Sequence, residues 1–186
     1  MRVITGKYKG RHFEIPRSFK ARPTTDFAKE NIFNVLTGMT DFDDATALDL
    51  FSGTGSISLE LLSRGCRQVV SVELDRDHHA FIRRCLKTLG EENCIALRGD
   101  VFRFIKTCHQ QFDFIFADPP YTLERLAEIP GLVLSSGMLK DGGIFVFEHG
   151  GKDDFSALQH FVGRRSYGSV NFSIFRKDAP DKLPHE

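Results

Sequence analysis

The sequence predicts one α/β domain built around a mostly parallel β-sheet. From residue 45 onward, short apolar runs alternate with segments in which apolar residues recur at helical spacing. Strands that are apolar at nearly every position are typical of a sheet covered by helices on both faces. A chain of 186 residues has room for one such domain and a sizeable core, with little left over.

The first 44 residues predict a hairpin and a helix ahead of this sheet. Two short strand-like runs, 2–6 and 11–15, flank a turn that contains Gly10, and prolines at positions 16 and 23 bracket a loop. The apolar positions 28, 32, 35 and 36 share one helical face, and Gly38 can end that helix. Its candidate N-caps are Thr24, Thr25 and Asp26.

Strand-like runs follow, and helical segments separate most of them. The runs cover residues 45–51, 67–74, 93–100, 112–118, 143–149, 164–168 and 169–177. Helices are expected over 56–64, 75–89, 101–108 and 153–161. Because no helix separates the last two runs, they predict a hairpin that turns at Tyr167–Gly168, with one antiparallel strand near an edge of the sheet.

Charge is distributed unevenly along the chain, although the net charge is zero. Residues 1–22 contain seven basic residues and one acidic residue, with aromatic side chains between them. Such a segment suits contact with RNA phosphates and stacking on bases, but a solvated hairpin that keeps the protein soluble fits equally well. The candidate RNA contacts are Arg2, Lys7, Lys9, Arg11 and Arg22. We therefore divide the chain into a basic N-terminal arm (1–24), an α/β domain (25–177) and a flexible tail (178–186).

The cysteines and the apolar content exclude several classes of protein. The four cysteines form no C-x-x-C pair and have no zinc-type spacing to histidines, so we expect free thiols and no metal site. No apolar run reaches the length of about 18 residues that indicates a membrane span. The N-terminus also lacks the apolar core of a secretory signal. We therefore expect a cytoplasmic protein with no membrane partner.

A glycine-containing turn follows the first sheet strand. The segment Asp49-Leu50-Phe51-Ser52-Gly53-Thr54-Gly55 lies where this strand ends and the next helix begins. Glycines there allow a sharp turn and the close approach of a ligand, and ligands of open α/β sheets bind at this edge. The third glycine of the dinucleotide-binding pattern is replaced by Ser58, so a purely structural turn stays an equal interpretation.

Two further acidic residues end the next two strands. Glu73 lies 20 positions after Gly53, and Asp100 ends the third strand. Glu73 can accept hydrogen bonds from ribose hydroxyls, and Asp100 can accept one from an adenine amino group. Either acid alone is better explained as a helix N-cap. Together with Asp49 they give three acids at three successive strand ends, which favours a nucleoside pocket.

The sequence Asp118-Pro119-Pro120-Tyr121 follows the fourth strand and indicates the reaction. Prolines cannot donate to a sheet ladder, so the chain leaves the sheet here and the Pro119 carbonyl is left without a backbone partner. Asp118 and this carbonyl offer two acceptors, which match the two N–H bonds of an exocyclic amine, and Tyr121 can stack on the base. A structural turn is the alternative, but the position of the motif beside the nucleoside pocket favours function.

These motifs together resemble a known family. The Phe51–Gly55 segment, the acids at the second and third strand ends and the Asp-Pro-Pro-Tyr motif resemble class I S-adenosylmethionine-dependent amino-methyltransferases. The chain is similar more narrowly to the bacterial 16S ribosomal RNA guanine-N2 methyltransferase family, on the basis of Arg22-Pro23-Thr24-Thr25-Asp26, Glu30, Phe33-Asn34 and Leu62-Ser63-Arg64-Gly65. The resemblance covers about residues 1–176. It implies a Rossmann-like, seven-stranded sheet whose last strand is antiparallel.

The resemblance also implies the cofactor, the substrate and the site residues. The implied cofactor is S-adenosyl-L-methionine, and the implied partner is 16S ribosomal RNA or the small-subunit ribosomal particle. The implied cofactor-binding residues are Thr24, Asp49, Phe51, Gly53, Gly55, Glu73, Leu74, Asp100 and Val101, and the implied catalytic residues are Asp118, Pro119, Pro120 and Tyr121. Adenine-N6 and glutamine-N5 enzymes often carry Asn in the first position of the motif, so Asp118 favours guanine.

Three other functions stay open on the sequence alone. A DNA adenine-N6 methyltransferase would share the motifs, although such enzymes usually carry extra mass for reading DNA. A nicotinamide-dependent oxidoreductase would share the crevice, but Ser58 and the Asp-Pro-Pro-Tyr motif count against it. A non-enzymatic RNA-binding module would leave the three strand-end acids unexplained. We expect the protein to act as a monomer.

Overall fold

The structure, a computed structural model, describes residues 1–19 and 24–178. The predicted RNA contact Arg22 and most of the predicted tail lie outside these residues. The helices are α1 (Asp26–Thr37), α2 (Ser56–Ser63), α3 (Arg76–Leu89), α4 (Val101–Thr107) and α5 (Ile129–Ser135), and a 3₁₀ turn (Leu126–Glu128) precedes α5. The strands are β1 (Thr46–Leu50), β2 (Gln68–Glu73), β3 (Cys94–Arg98), β4 (Phe112–Ala117), β5 (Leu139–His149), β6 (Phe161–Tyr167) and β7 (Val170–Arg176).

All seven strands belong to one mixed sheet, in the order β3-β2-β1-β4-β5-β7-β6. The pairs formed among β1 to β5 are parallel, whereas β7 is antiparallel to both β5 and β6. The predicted seven-stranded, mostly parallel sheet with an antiparallel terminal strand is therefore confirmed. The terminal hairpin turns at Gly168, whose φ of 64° glycine adopts without steric cost. β7 consequently inserts between β5 and β6, one position in from the edge.

The strand order reverses beside β1. The chain moves outward from β1 to β2 and β3, and it then returns to β4 on the other side of β1. In open α/β sheets, ligands bind outside the carboxyl ends of the strands at such a reversal. We call this side of the sheet the carboxyl edge, and the loops that follow β1 to β5 all open onto it.

The core consists of two layers of side chains, one on each face of the sheet. Alternation along β4 places Phe114 and Phe116 in the layer that α1, α2 and α3 cover, and Ile115 in the layer that α4 and α5 cover. Every residue of β1 is buried, as expected for a central parallel strand. Within the described ranges, no helix is both long enough and apolar enough to cross a membrane.

The N-terminal arm folds back on itself, but the predicted hairpin is reduced to one antiparallel bridge between Arg2 and His12. The reason lies in α2, which offers acceptors that compete with a strand partner. The Glu60 carboxylate accepts the backbone N–H groups of Ile4 at 2.8 Å and of Thr5 at 3.1 Å. Donors that would extend a hairpin ladder are therefore used to dock the arm onto the domain.

The tip of the arm lies against the last turn of α2. The backbone N–H of Lys7 donates to the Ser63 carbonyl at 2.8 Å, and that of Tyr8 donates to Ser63 Oγ at 2.9 Å. Gly6 has a φ of 87°, and a Cβ added there would lie 1.8 Å from the Ser63 carbonyl oxygen. Only glycine therefore allows this close approach.

Two basic residues neutralise the acid that docks the arm. Glu60 and Lys29 are fully buried, with 3.8 Å between Nζ and Oε2, and Arg64 Nε donates to Glu60 Oε1 at 3.0 Å. Lys29 Nζ also donates to Ser56 Oγ at 2.9 Å. We call Glu60, Lys29 and Arg64 the arm anchor.

The helix predicted over residues 153–161 is wrong, because this described segment forms turns. The Asp154 side chain accepts the Ser156 N–H at 2.9 Å, and Leu158 N donates to the Phe155 carbonyl at 3.1 Å. Phe155 is buried edge-on against Phe147 and thereby ties the segment to β5. Local side-chain to backbone bonding of this kind competes with helix formation.

Candidate active site

The loop between β1 and α2 turns through three residues with left-handed backbone conformations. Gly53 and Gly55 have φ values of 54° and 79°, which glycine adopts readily, and Phe51 has a φ of 59°. A bulky residue in this region is strained, and such strain concentrates at functional loops. A Cβ on Gly55 would lie 2.9 Å from Cγ1 of Ile82 on α3, so packing also requires glycine there. The predicted sharp turn is confirmed.

The Asp49 side chain stabilises the helix that follows this loop through hydrogen bonds with Ser58. Its buried carboxylate accepts the Ser58 N–H at 3.0 Å and also the Ser58 hydroxyl. It therefore supplies the capping acceptor that Gly55, the N-cap of α2, cannot provide. Burial is the largest cause that raises the pKa of Asp49, to about 7. Serine at position 58, where the dinucleotide pattern has glycine, is thus the partner of the acid on β1.

Glu73 joins the ends of β1 and β2 at the carboxyl edge. One carboxylate oxygen accepts the Gly53 N–H at 2.7 Å and the other accepts the Asp75 N–H at 2.8 Å. Each carboxylate oxygen can accept two hydrogen bonds, so both keep acceptor capacity for a ligand. The next residue, Leu74, is 63% exposed, which leaves an apolar surface beside the acid.

Asp100 is the N-cap of α4, as the alternative interpretation expected. Its Oδ1 accepts the Arg103 N–H at 2.8 Å, and Val101 begins the helix in a buried position. The Phe102 ring lies edge-on to Phe51, with 6.5 Å between the ring centroids. This contact brings two aromatic side chains together just after the ends of β1 and β3.

The Asp-Pro-Pro-Tyr motif begins where β4 leaves the sheet. Asp118 N donates to the Leu50 carbonyl at 3.3 Å, and the two prolines that follow have no N–H with which to continue the ladder. Pro119 is buried and Pro120 is exposed. Tyr121 is 46% exposed, which leaves much of its ring accessible for stacking.

Glu148, which was not predicted as a site residue, lies close to Asp118. Glu148, at the end of β5, accepts the Tyr121 hydroxyl at 3.0 Å with Oε1 and the Thr24 hydroxyl at 2.9 Å with Oε2. The Thr24 hydroxyl oxygen is also 3.3 Å from Asp118 Oδ2. Thr24, Asp118 and Tyr121, which the sequence predicted as site residues, are therefore brought together around Glu148.

Burial dominates the electrostatics of these two carboxyl groups. Desolvation raises the pKa of Asp118 well above its usual value, and the nearby Glu148 carboxyl raises it further. Burial also raises the pKa of Glu148, which hydrogen bonds from Thr24 and Tyr121 partly offset. The acid pair thus favours a state with fewer than two negative charges.

The described members of the predicted RNA contacts do not lie together on the domain. Arg2 lies 3.5 Å from Asp26 at the start of α1, whereas Lys7 forms an ion pair with Glu91 at 2.7 Å. Lys7 is bonded to the last residue of α2, so it lies at the end of the sheet opposite the carboxyl edge. Lys9 and Arg11 are exposed.

Comparison with known proteins assigns the chain to a family. The family model described as conserved hypothetical protein 95 matches residues 1–176. Ribosomal RNA small subunit methyltransferase D of Escherichia coli (strain K12) is 29% identical over 96% of this chain and 91% of its own length. The Bacillus subtilis (strain 168) protein YlbH is 34% identical over 95% of this chain and 99% of its own length.

A solved structure agrees with this assignment. The Escherichia coli protein yhhF superposes with a TM-score of 0.84 at 27% identity, covering 97% of this chain and 99% of that one. The chain therefore belongs to the conserved hypothetical protein 95 family of S-adenosylmethionine-dependent methyltransferases, which resemble ribosomal RNA small subunit methyltransferase D.

Proposed function

We propose that this protein methylates the exocyclic N2 amine of a guanine in 16S ribosomal RNA, and that it acts as a monomer. The name of the Escherichia coli relative supports an RNA substrate from the small subunit. The observation that carries the proposal is the half-buried Asp118 at the end of β4, beside a half-exposed Tyr121. The family assignment disfavours the nicotinamide-dependent and non-enzymatic alternatives.

The residues of the carboxyl edge fit S-adenosylmethionine. The acceptor capacity left on Glu73 suits ribose hydroxyls, and the exposed Leu74 offers apolar contact to an adenine ring. When bound, the cofactor supplies an electrophilic methyl group on a positively charged sulfur. Residues Asp100 and Val101 would hold the adenine end, and Thr24, Asp49, Phe51, Gly53 and Gly55 would flank the methionine end.

Asp118 and the Pro119 carbonyl orient the amine. The lone pair of a base amine is delocalised into the ring, which makes the nitrogen a poor nucleophile. Two N–H groups that donate to Asp118 and Pro119 favour a pyramidal nitrogen with a localised lone pair. A hydrogen bond to a charged group contributes about 1.5–3 kcal/mol. Holding the reactants in attack geometry can contribute about 7–11 kcal/mol, so positioning is the larger effect.

The target base must leave its helix to reach this motif, because its amine is inaccessible inside a duplex. Tyr121 then stacks on the base, which contributes roughly 1–3 kcal/mol in proteins that bind single strands. Its hydroxyl is fixed by Glu148, so the ring is held in place before the base arrives.

The proposal is tested by mass spectrometry of nucleosides from small-subunit RNA incubated with the protein and S-adenosylmethionine. We expect N2-methylguanine from the wild type, and we expect Asp118→Ala to lower turnover by about 10²–10⁴-fold. Cofactor affinity, measured by calorimetry, should change little. N6-methyladenine as the product would overturn the guanine assignment, and unchanged turnover would remove Asp118 from the site.

Asp113→Ala is the matched control, because it removes the same side chain from the opposite end of β4. Asp113 Oδ2 accepts hydrogen bonds from Thr46 N at 2.8 Å and Lys140 Nζ at 2.9 Å, far from the carboxyl edge. We expect this variant to lose stability and to keep its turnover.

A further inference from the structure

Glu148 connects the side chains that surround Asp118. Its two carboxylate oxygens hold Tyr121 and Thr24, at 3.0 Å and 2.9 Å respectively. These partners come from distant parts of the chain, one just after β4 and the other just before α1. Glu148 itself is only 4% exposed, so the arrangement is built into the interior rather than formed at the surface.

The fold does not require an acid at this position. The sheet register of Glu148 is set by backbone pairing with Phe172 on β7, which any residue could maintain. A buried carboxyl group costs free energy unless its environment compensates it. The acid that docks the arm, Glu60, is compensated by Lys29 and Arg64. Glu148 has instead two hydroxyl donors and another acid, an arrangement that suits a functional site.

Two carboxyl groups meet at one hydroxyl. The Thr24 hydroxyl lies within hydrogen-bond distance of both Glu148 Oε2 and Asp118 Oδ2. Because oxygens of both groups lie around one hydroxyl oxygen, the two carboxyl groups are neighbours, and burial and the Glu148 carboxyl both raise the pKa of Asp118. Carboxyl groups in such contact titrate as a pair rather than separately.

We propose that Glu148 is a positioning residue for methyl transfer, which anchors Tyr121 and Thr24 around Asp118 and shares one proton with Asp118. This inference rests on the proposed role of Asp118 as an acceptor for the amine. The shared proton leaves the pair with one negative charge, so that Asp118 can accept the amine N–H without facing a second ionised carboxylate. The hydrogen bond that the Tyr121 hydroxyl donates to Glu148 fixes the stacking ring beside this pair of carboxyl groups.

The other titratable groups that act on this pair are Asp49 on β1 and Tyr121 after β4. The Asp49 carboxyl raises the pKa of Asp118, as the Glu148 carboxyl does. Burial has the largest effect on Tyr121 and raises its pKa, and the carboxyl groups of Glu148 and Asp118 raise it further. The Tyr121 hydroxyl therefore stays protonated and can donate. Removal of the Glu148 charge should therefore lower the pKa of Asp118.

The test is the pH dependence of turnover in Glu148→Gln. The amide keeps an oxygen that can accept the Tyr121 hydroxyl, but it carries no charge. We expect kcat to fall roughly 10–100-fold through misplacement of the site. We also expect the alkaline limb of the kcat profile to disappear, because the singly charged pair loses its second proton at high pH in the wild type, whereas Glu148→Gln has no second carboxyl group to ionise. The dissociation constant for S-adenosylmethionine should change less than about twofold, well below the change in kcat.

Tyr121→Phe is the matched variant, because it keeps the ring and removes only the hydroxyl that Glu148 accepts. If Glu148 acts through this bond, the double variant should lose less than the two single effects combined. An alkaline limb that persists unchanged in Glu148→Gln overturns the inference, and so do fully additive effects of Glu148→Gln and Tyr121→Phe.

A second readout needs neither RNA nor cofactor. Carbon-13 NMR of the carboxyl groups in the free protein should show Asp118 and Glu148 titrating in two separated steps, with Asp118 titrating at lower pH in Glu148→Gln. If these steps appear but no N2-methylguanine forms, the proposed function fails and the pairing stands. If the base is methylated but the carboxyl groups titrate independently, the inference fails and the proposed function stands.

Discussion

Two regions of the molecule bury acids in opposite ways. In the arm anchor, Glu60 is enclosed by Lys29 and Arg64 and accepts two backbone N–H groups from the arm. At the carboxyl edge, the buried Glu148 and the half-buried Asp118 lie beside each other and against hydroxyl groups. Burial and the neighbouring acids raise the pKa of Asp118, whereas cations stand beside Glu60.

The difference separates a structural acid from a functional one. An acid that only supports the fold is stabilised by having its charge compensated in the folded protein. An acid that must receive a substrate group keeps its acceptor capacity, although the fold loses stability by leaving it uncompensated. Breaking each region should therefore have effects of opposite sign on stability.

The largest expected effect on stability is at the arm anchor. Lys29→Met removes a fully buried cation and leaves Glu60 with Arg64 alone. Removal of one partner of a buried ion pair costs about 3–5 kcal/mol. Urea unfolding at pH 7 measures this loss. The double variant Lys29→Met/Glu60→Gln should be less destabilised, because the fully buried carboxylate is removed together with its fully buried cation. A loss under about 1 kcal/mol in the single variant would contradict the comparison.

A smaller effect of the opposite sign is expected for Asp118→Asn. An acid whose folded pKa is raised above its unfolded value stabilises the fold at low pH, and this contribution is lost as pH rises through the folded pKa. The pKa of Asp49 is raised to about 7, so the part of this stabilisation that Asp49 contributes is lost near neutral pH. The wild-type melting temperature should therefore decline from pH 5 to pH 9, and Asp118→Asn should decline less steeply.

Asp113→Asn provides the control for this pH series. The pKa of Asp113 is lowered because hydrogen bonds from Thr46 and Lys140 outweigh the effect of burial. Its contribution to stability is therefore present above its unfolded pKa and is lost in acid. Parallel curves for wild type and Asp118→Asn would show that Asp118 is not an uncompensated acid.

The smallest effects are expected from charge reversal along the arm. Arg2 lies 3.5 Å from Asp26 at the start of α1, and the Arg11 carbonyl accepts the N–H of the adjoining Val3. By contrast, Lys7 is bonded to the last residue of α2 and paired with Glu91. We therefore expect Arg2→Glu and Arg11→Glu to weaken RNA binding and to reduce its salt dependence more than Lys7→Glu does. Equal salt slopes for all three variants would favour the interpretation of the arm as a solvated segment.

Most of the fold was predictable because it depends on local patterns. Apolar runs identified all seven strands, and the caps Thr25 and Asp75 lie at the beginning of α1 and α3. The errors occurred where long-range contacts override local preference. Glu60 on α2 takes N–H groups from the arm, and Phe155 is held by β5, so neither the hairpin nor the helix over 153–161 forms as predicted.

The candidate site was predictable wherever a residue ends a parallel strand. Glu73, Asp100 and Asp118 all lie at the carboxyl edge, and the strand-end pattern is enough to place them there. Glu148 ends β5 by the same pattern, but its sequence context contains no motif that separates it from an ordinary loop residue. Its role depends on Tyr121 and Thr24, which lie 27 and 124 positions away in the chain.

The insertion of β7 between β5 and β6 has a consequence for synthesis on the ribosome. β7 is the last strand to emerge, so the outer side of β5 lacks its final partner until residues 170–176 have left the exit tunnel. A nascent chain stalled before that point would offer the bare backbone of β5 to any other strand, which is a route to aggregation. The strand that carries Glu148 therefore gains its outer partner only after the other strands of the sheet have been made.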